Sequence, residues 1–253
     1  MTIRTASLEG VATIEIARPE KKNALTQAMY LAMASAITAA VEDRSVRALL
    51  ITGQPGIFTA GNDLEDFRSA PPLAAGSPTT VFMQALLSCD KPVVAAVTGA
   101  AIGIGATMLL HCDLVYLSDQ ARLVFPFVTL GVVPEFGSSL LLPRLIGHAR
   151  AAAALLLAEP IGAEAAVALG IASAVLPAGE VLSHATRVAS RFNALPPGAV
   201  RDTKRLMRAG AAAEISGAME AESSLFVERL RSPEAREALQ AFFEKRQPDF
   251  SKT

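Results

Sequence analysis

The chain has 253 residues, 51% of them hydrophobic, with no Trp, two Cys and a formal net charge of −1. Such a balance gives no electrostatic reason to expect nucleic acid or an anionic membrane as partner, and Cys89 and Cys112 make no disulfide framework. The length admits a substantial core, as one large domain or a domain with an appendage, in a soluble α/β or α-rich composition whose spare apolar surface suits packing between subunits.

No apolar signal core follows Met1-Thr2-Ile3-Arg4, so the cytosol is the expected location. Residues 3–17 alternate as two short strands around a Glu9-Gly10 turn. After the charged turn Arg18-Pro19-Glu20-Lys21-Lys22-Asn23, Leu25, Met29, Met33, Ile37 and Val41 recur at helical spacing and predict a helix ending near Glu42-Asp43. Lys21 and Lys22 fit a solvated turn, the commoner use of such lysines, or contacts to an anionic ligand. Residues 46–52 read as a buried strand. Phe58-Thr59-Ala60-Gly61-Asn62-Asp63-Leu64 is a glycine turn leading towards a helix, in which Asp63, Glu65 and Asp66 fit solvated or capping roles. Residues 69–80, with Pro71-Pro72, Gly76 and Pro78, read as an aperiodic loop, and 81–88 as a helix.

The stretch 91–113 dominates the chain. It holds 21 uncharged residues between Lys91 and Asp113, long enough to raise the question of a membrane span. Three glycines interrupt it, however, and β-branched Val93-Val94-Ala95-Ala96-Val97 predicts a buried strand, followed by a Gly-rich loop and a helix over 104–110. Backbone N–H groups at such a turn and helix start lack intrahelical acceptors and suit an oxyanion or phosphate; alternatively, the glycines serve only close helix–strand packing. His111, His148 and His184 show no i, i+4 spacing, so no His-based metal site is expected. His111, in an apolar run, reads as a satisfied core histidine and Asp113 as a structural acceptor for backbone.

Beyond Asp113, residues 114–117 and 121–125 predict strands, and the strand, strand, helix pattern has then recurred three times. An apolar helix begins at Leu140 after Gly131-Val132-Val133-Pro134-Glu135-Phe136-Gly137-Ser138-Ser139. Helices over 149–158 and 163–169 precede a strand over 171–176. From Pro177 the pattern is helical, with a stripe at Val181, Ala185, Val188, Ala189 and Phe192, then helices at 199–209, 214–231 and 233–245. The resulting division is a core over 1–195 and a helical subdomain over 196–253.

The two glycine turns, the segment Arg18-Pro19-Glu20-Lys21-Lys22-Asn23-Ala24-Leu25 and Lys91-Pro92-Val93-Val94-Ala95-Ala96-Val97 together resemble the crotonase superfamily of enoyl-CoA hydratases and isomerases, over essentially the whole chain. The resemblance implies an α/β fold, a crotonase-like spiral of ββα turns with a C-terminal α-helical trimerisation subdomain. It implies an acyl-CoA thioester as substrate, coenzyme A being part of that substrate rather than a separate cofactor, and a homotrimer or hexamer. Carried over residue by residue, it places an oxyanion hole on the backbone N–H groups of Asn62 and Ile104. The CoA contacts fall near Lys21, Lys22, Ala60 and Leu64, with Phe242 and Lys245 supplied by a neighbouring subunit.

The departures from the family pattern carry the chemistry. The two glutamates of enoyl-CoA hydratases align with Thr107 and Phe127, neither of which is an acid or base at neutral pH. A carboxyl stands instead at Glu135, in a run that looks like the peroxisomal-type Δ3,Δ2-enoyl-CoA isomerases, where one glutamate is the base. Without the resemblance, Glu135 reads more readily as a first-turn carboxylate complementing the dipole of the helix that follows. Phe125, Phe127 and Phe136 would desolvate it and raise its pKa, whereas a helix start would lower it. The alternatives are a hydratase or related acyl-CoA reaction through Glu135, and a non-catalytic acyl-CoA-binding paralogue. A dinucleotide-binding turn at Gly103-Ile104-Gly105 lacks its third glycine, Met108 holding that place.

Overall fold

β1 (Ile3–Leu8) and β2 (Val11–Ile16) pair antiparallel as expected, with Glu9 and Gly10 at positive φ in the turn between them. These elements belong to a computed structural model that describes residues 2–69 and 74–253. Of the loop expected over 69–80, residues 70–73 with Pro71-Pro72 lie outside the described residues. In chain order there follow α1 (Gln27–Glu42), β3 (Ala48–Thr52), β4 (Ile57–Thr59), α2 (Leu64–Ser69), α3 (Pro78–Ser88), β5 (Val93–Val97), β6 (Ala100–Ile102) and α4 (Ile104–Thr107). Then come β7 (Leu114–Ser118), β8 (Arg122–Val124), α5 (Ser138–Ile146), α6 (His148–Leu156), β9 (Ile161–Gly162), α7 (Ala163–Ala168) and β10 (Ala174–Leu176). The helices α8 (Val181–Ser190), α9 (Pro197–Ala209), α10 (Ala212–Arg229) and α11 (Pro233–Glu244) close the chain.

The strands form two sheets, ordered β1-β2-β3-β5-β7-β10 and β4-β6-β8-β9. The first hairpin keeps both its strands, β1 and β2, in the large sheet, whereas the pairs β3/β4, β5/β6 and β7/β8 each send the first strand to the large sheet and the second to the small one, which is the spiral of ββα turns. β2, β3, β5, β7 and β10 run parallel, and β3 and β5 are buried along their whole length, as sheets covered on both faces require. Alternation decides which face each side chain takes. Leu49, Ile51, Val93, Ala95 and Val97 enter the main core with α1 and α3. Ala48, Leu50, Val94 and Ala96 turn the other way onto Val181, Ala185 and Ala189 of α8. Fully burying each such Val or Leu contributes about 1.5–3 kcal/mol.

Three expectations are corrected. The Gly-rich loop after β5 contains a strand, β6, visible only through its pairing with β4 and β8. The helix expected over 104–110 is one α turn followed by a 3₁₀ turn, Met108–His111. The helix expected from residue 81 starts at Pro78, where Ser77 caps it by accepting from Thr80 N and proline occupies the first turn. Among the described residues no helix is long and apolar enough to cross a membrane.

Candidate active site

Two turns meet at the site. In the first, Leu25 N donates to Gly61 O at 2.8 Å and Asp63 N to Leu25 O at 2.9 Å. That parallel bridge leaves the Asn62 N–H turned the other way. Gly61 has φ +87°, and a Cβ there would stand 2.8 Å from Ile102 O, so only glycine lets this turn press against the second. In the second turn, Gly103 N donates to Val124 O at 2.9 Å, and Gly103 O accepts from Ala106 N and Thr107 N. The N–H groups of Ile104 and Gly105 thus head α4 without intrahelical acceptors. The expected N–H sets lie side by side because small residues allow their backbones to touch.

Glu135 is wholly buried beside these turns. Thr107 Oγ1 stands 3.3 Å from Glu135 Oε1 and 3.4 Å from Ile104 O, so it links the carboxyl to the head of α4. Among the described residues, Glu135 Oε2 has no hydrogen-bond partner. Burial first, then the nearby Glu222 carboxyl, push the Glu135 pKa up to about 8 against the lowering effect of Thr107. The opposing influences anticipated from sequence are thereby decided. Desolvation wins because the donors at the start of α5 are already taken: Gly137 N donates to Glu222 Oε2 at 2.6 Å and Ser139 N to Glu222 Oε1 at 2.9 Å. The dipole-complementing role that Glu135 offers on paper belongs to Glu222.

Rings wall the carboxyl. Tyr30 of α1 packs on Phe82 of α3 with centroids 5.6 Å apart, Phe82 lies edge-on to Phe136 at 6.4 Å, and Phe136 stacks on His111 at 3.9 Å. Tyr30 donates from its hydroxyl to Asn62 Oδ1 at 2.5 Å. Burial, and secondarily the Glu135 carboxyl, hold the Tyr30 phenol well above its ordinary pKa, hence protonated. His111 Nε2 bonds to Phe136 O at 2.7 Å, as a satisfied core histidine.

The remaining sequence candidates scatter. Ala60 N donates to Lys22 O at 3.0 Å, joining the lysine turn to the first glycine turn. Exposed Lys21 lies 3.8 Å from Glu65, and Leu64 opens α2 against the core. Phe242, exposed, and Lys245, the left-handed cap of α11, have no hydrogen bond or ring contact to either turn among the described residues. Phe127 is buried at the head of a 3₁₀ turn, Val128–Leu130. Asp63 is not solvated. It is buried, caps α2 by accepting from Glu65 N at 3.0 Å, and pairs with Arg18 at 2.6 Å. Burial pushes its carboxyl up, but the Arg18 and backbone hydrogen bonds outweigh that and hold its pKa low.

Tyr30 and Glu222 escaped the sequence reading, though each left a signal. A tyrosine on the buried stripe of α1 needs a partner for its hydroxyl. Glu222 shares the buried stripe of α10 with Met219 and Phe226, a place for a carboxylate only if donors meet it.

A model of the enoyl-CoA hydratase/isomerase family matches residues 6–253. The chain is 34% identical over 253 residues, covering 99% of it and 98% of the relative, to a probable enoyl-CoA hydratase of Rhodobacter capsulatus. It is 33% identical to human enoyl-CoA delta isomerase 2, over 82% of this chain and 54% of that protein. The solved structure of OdaA from Pseudomonas aeruginosa superimposes with a TM-score of 0.93 at 51% identity, over 95% of this chain and 98% of that one.

Proposed function

The chain belongs to the enoyl-CoA hydratase/isomerase family of crotonase-type acyl-CoA enzymes, and on that ground we propose that it moves the double bond of a 3-enoyl-CoA to the 2-position with Glu135 as a single proton shuttle. The observation that carries this reading is the buried Glu135 carboxyl, one oxygen of which has no hydrogen-bond partner among the described residues; the family resemblance supports it by carrying the two hydratase acids onto the non-acidic Thr107 and Phe127. Glu135 takes a proton from C2 of the thioester and returns it to C4. The N–H groups of Asn62 and Ile104 hold the dienolate oxygen between the two transfers, and one such donor is worth roughly 3–4 kcal/mol. A base with a pKa near the working pH suits both halves of the shuttle. In this reading the reaction draws on no separate cofactor or metal; Lys21, Lys22, Ala60 and Leu64 hold the coenzyme A portion, and the working assembly is a homotrimer or hexamer whose neighbour supplies Phe242 and Lys245.

Hydration of a 2-enoyl-CoA through Glu135 is the second reading, favoured by the name of the Rhodobacter capsulatus relative. Turnover of a 3-enoyl-CoA to the conjugated isomer, followed by thioester absorbance beside 2-enoyl-CoA hydration, separates the two. Isomerisation with little hydration, lost in Glu135→Gln while acyl-CoA still binds, is the expected result. Dominant hydration, or an active Glu135→Gln, overturns it.

A further inference from the structure

The turn that carries Glu135 is strained and clamped. Phe136 adopts φ +57°, in the left-handed region that a bulky side chain rarely occupies. The peptide joining it to Gly137 is gripped at both ends. Its carbonyl oxygen accepts from His111 Nε2 at 2.7 Å, and its N–H donates to Glu222 Oε2 at 2.6 Å. His111 is neutral, because burial above all lowers its pKa to about 4, and a carbonyl acceptor requires the proton on Nε2. Ser139 N occupies the second Glu222 oxygen, and Ser138 donates from its hydroxyl to Glu135 O at 2.6 Å. A strained backbone persists only where its surroundings over-determine it, and here they do so at the residue next to the candidate base.

The two buried carboxyls have opposite surroundings. Burial raises the Glu222 pKa, and the backbone N–H that each of its oxygens receives works against that rise and favours the charged form. Among the described residues, Glu135 receives only the Thr107 hydroxyl and keeps a bare oxygen. Both Glu222 oxygens are turned to the backbone at the start of α5. The groups that face Glu135 are Thr107 from α4, Tyr30 from α1 and Glu222 from α10. Behind Phe136 stands neutral His111, and behind that Arg208 of α9, whose Nη2 donates to His111 O at 2.5 Å. Glu222 is the negative charge of this set.

We propose that Glu222 is a positioning residue for the reaction: by clamping the Phe136–Gly137 peptide together with His111, it sets where the Glu135 carboxyl stands and supplies the negative field in which that carboxyl takes and returns a proton. This rests on Glu135 being the working base. Two variants weight the charge and the clamp differently. Glu222→Gln keeps the shape, removes the charge and, with a single acceptor oxygen, holds only one of the two N–H groups; Glu222→Asp keeps the charge and pulls it back from both.

The test reads the pH profile of kcat for 3-enoyl-CoA isomerisation, with KM, and the titration of the Glu135 carboxyl by infrared difference against Glu135→Gln. For Glu222→Gln the expected result is a fall in kcat of about tenfold, KM within about twofold, and a Glu135 midpoint lower by roughly half a pH unit or more. For Glu222→Asp it is a similar fall in kcat with a midpoint close to wild type. An unchanged midpoint and kcat in Glu222→Gln, or wild-type kcat in Glu222→Asp, overturns the proposal; should Glu222→Gln not fold, Glu222→Asp alone decides. An inactive wild type would remove the proposed reaction but leave the titration readable, and an unmoved midpoint there sinks this inference separately.

Discussion

The Thr107 hydroxyl lies between Glu135 Oε1, 3.3 Å away, and the Ile104 carbonyl oxygen, 3.4 Å away, with one proton to serve both. The hydroxyl thus ties the candidate base to the helix that heads the second glycine turn. Thr107→Val keeps the shape and removes the donor. The hydroxyl lowers the Glu135 pKa, so its loss moves the alkaline-rising limb of the rate profile to higher pH. The rate at neutral pH falls by a factor of about five, the equivalent of about 1 kcal/mol. An unmoved limb would show that the hydroxyl plays no part in the titration.

Glu135 also leaves a mark on stability. Its folded pKa, about 8, lies above the ordinary 4.5, so between those values the folded protein holds a proton that the unfolded chain has released. Stability is therefore highest below about pH 4.5 as far as this group is concerned, and falls as pH rises towards about 8, by at most about 1.4 kcal/mol per pH unit. Glu135→Gln removes that slope. Urea unfolding of both proteins from pH 5 to 9 should show the variant gaining on wild type as pH rises; parallel curves would contradict the buried, proton-holding carboxyl.

Tyr30 holds the Asn62 side chain at 2.5 Å, on the residue whose backbone N–H faces the thioester oxygen in the proposed reaction. Tyr30→Phe should lower kcat about three- to tenfold, from the loss of one hydrogen bond and some order in the turn. KM should stay near wild type. A change confined to KM would place Tyr30 in binding rather than in the support of the proposed oxyanion turn.

Gly61→Ala puts a Cβ 2.8 Å from Ile102 O at φ +87°, forcing the two turns apart. Strain of this kind costs on the order of 1–3 kcal/mol, and activity should be lost beyond what the fall in stability explains. Full activity in a folded Gly61→Ala would show that the close approach of the turns is dispensable.

Asp113 is the anchor between the spiral core and α9. It accepts from Val93 N at 2.7 Å and from Lys204 Nζ at 2.7 Å, and Lys204 also donates to Lys91 O at 2.6 Å. Asp113→Ala leaves a buried ammonium without its carboxylate, a loss of about 3–5 kcal/mol. Adding Lys204→Met should recover part of it in urea unfolding; no recovery would mean that the Val93 bond, not the charge pair, dominates.

The positions of most helices and strands were legible because they rest on local signals. The apolar stripe Met29, Met33, Ile37, the alternation before and after Glu9-Gly10 and the prolines that open α9 and α11 act within one or two turns of chain. β6 was not legible, since three residues carry no period and become a strand only by pairing with β4 and β8. The solvated reading of Asp63 failed for a similar reason: Arg18, 45 positions away, reaches it.

At the site, the sequence by itself determined the family resemblance, two glycine turns with free N–H groups and a lone carboxyl at Glu135 where the hydratase acids are absent. Whether that carboxyl is raised or lowered was open, because the answer depends on which acceptor takes the donors of α5. Tertiary structure decided it by delivering Glu222 from 85 and 83 positions along the chain to Gly137 N and Ser139 N. Glu135 is left desolvated, with a single hydroxyl for company. Periodicity reports what a residue's neighbours in sequence are, whereas desolvation and charge coupling depend on what is packed around it in space.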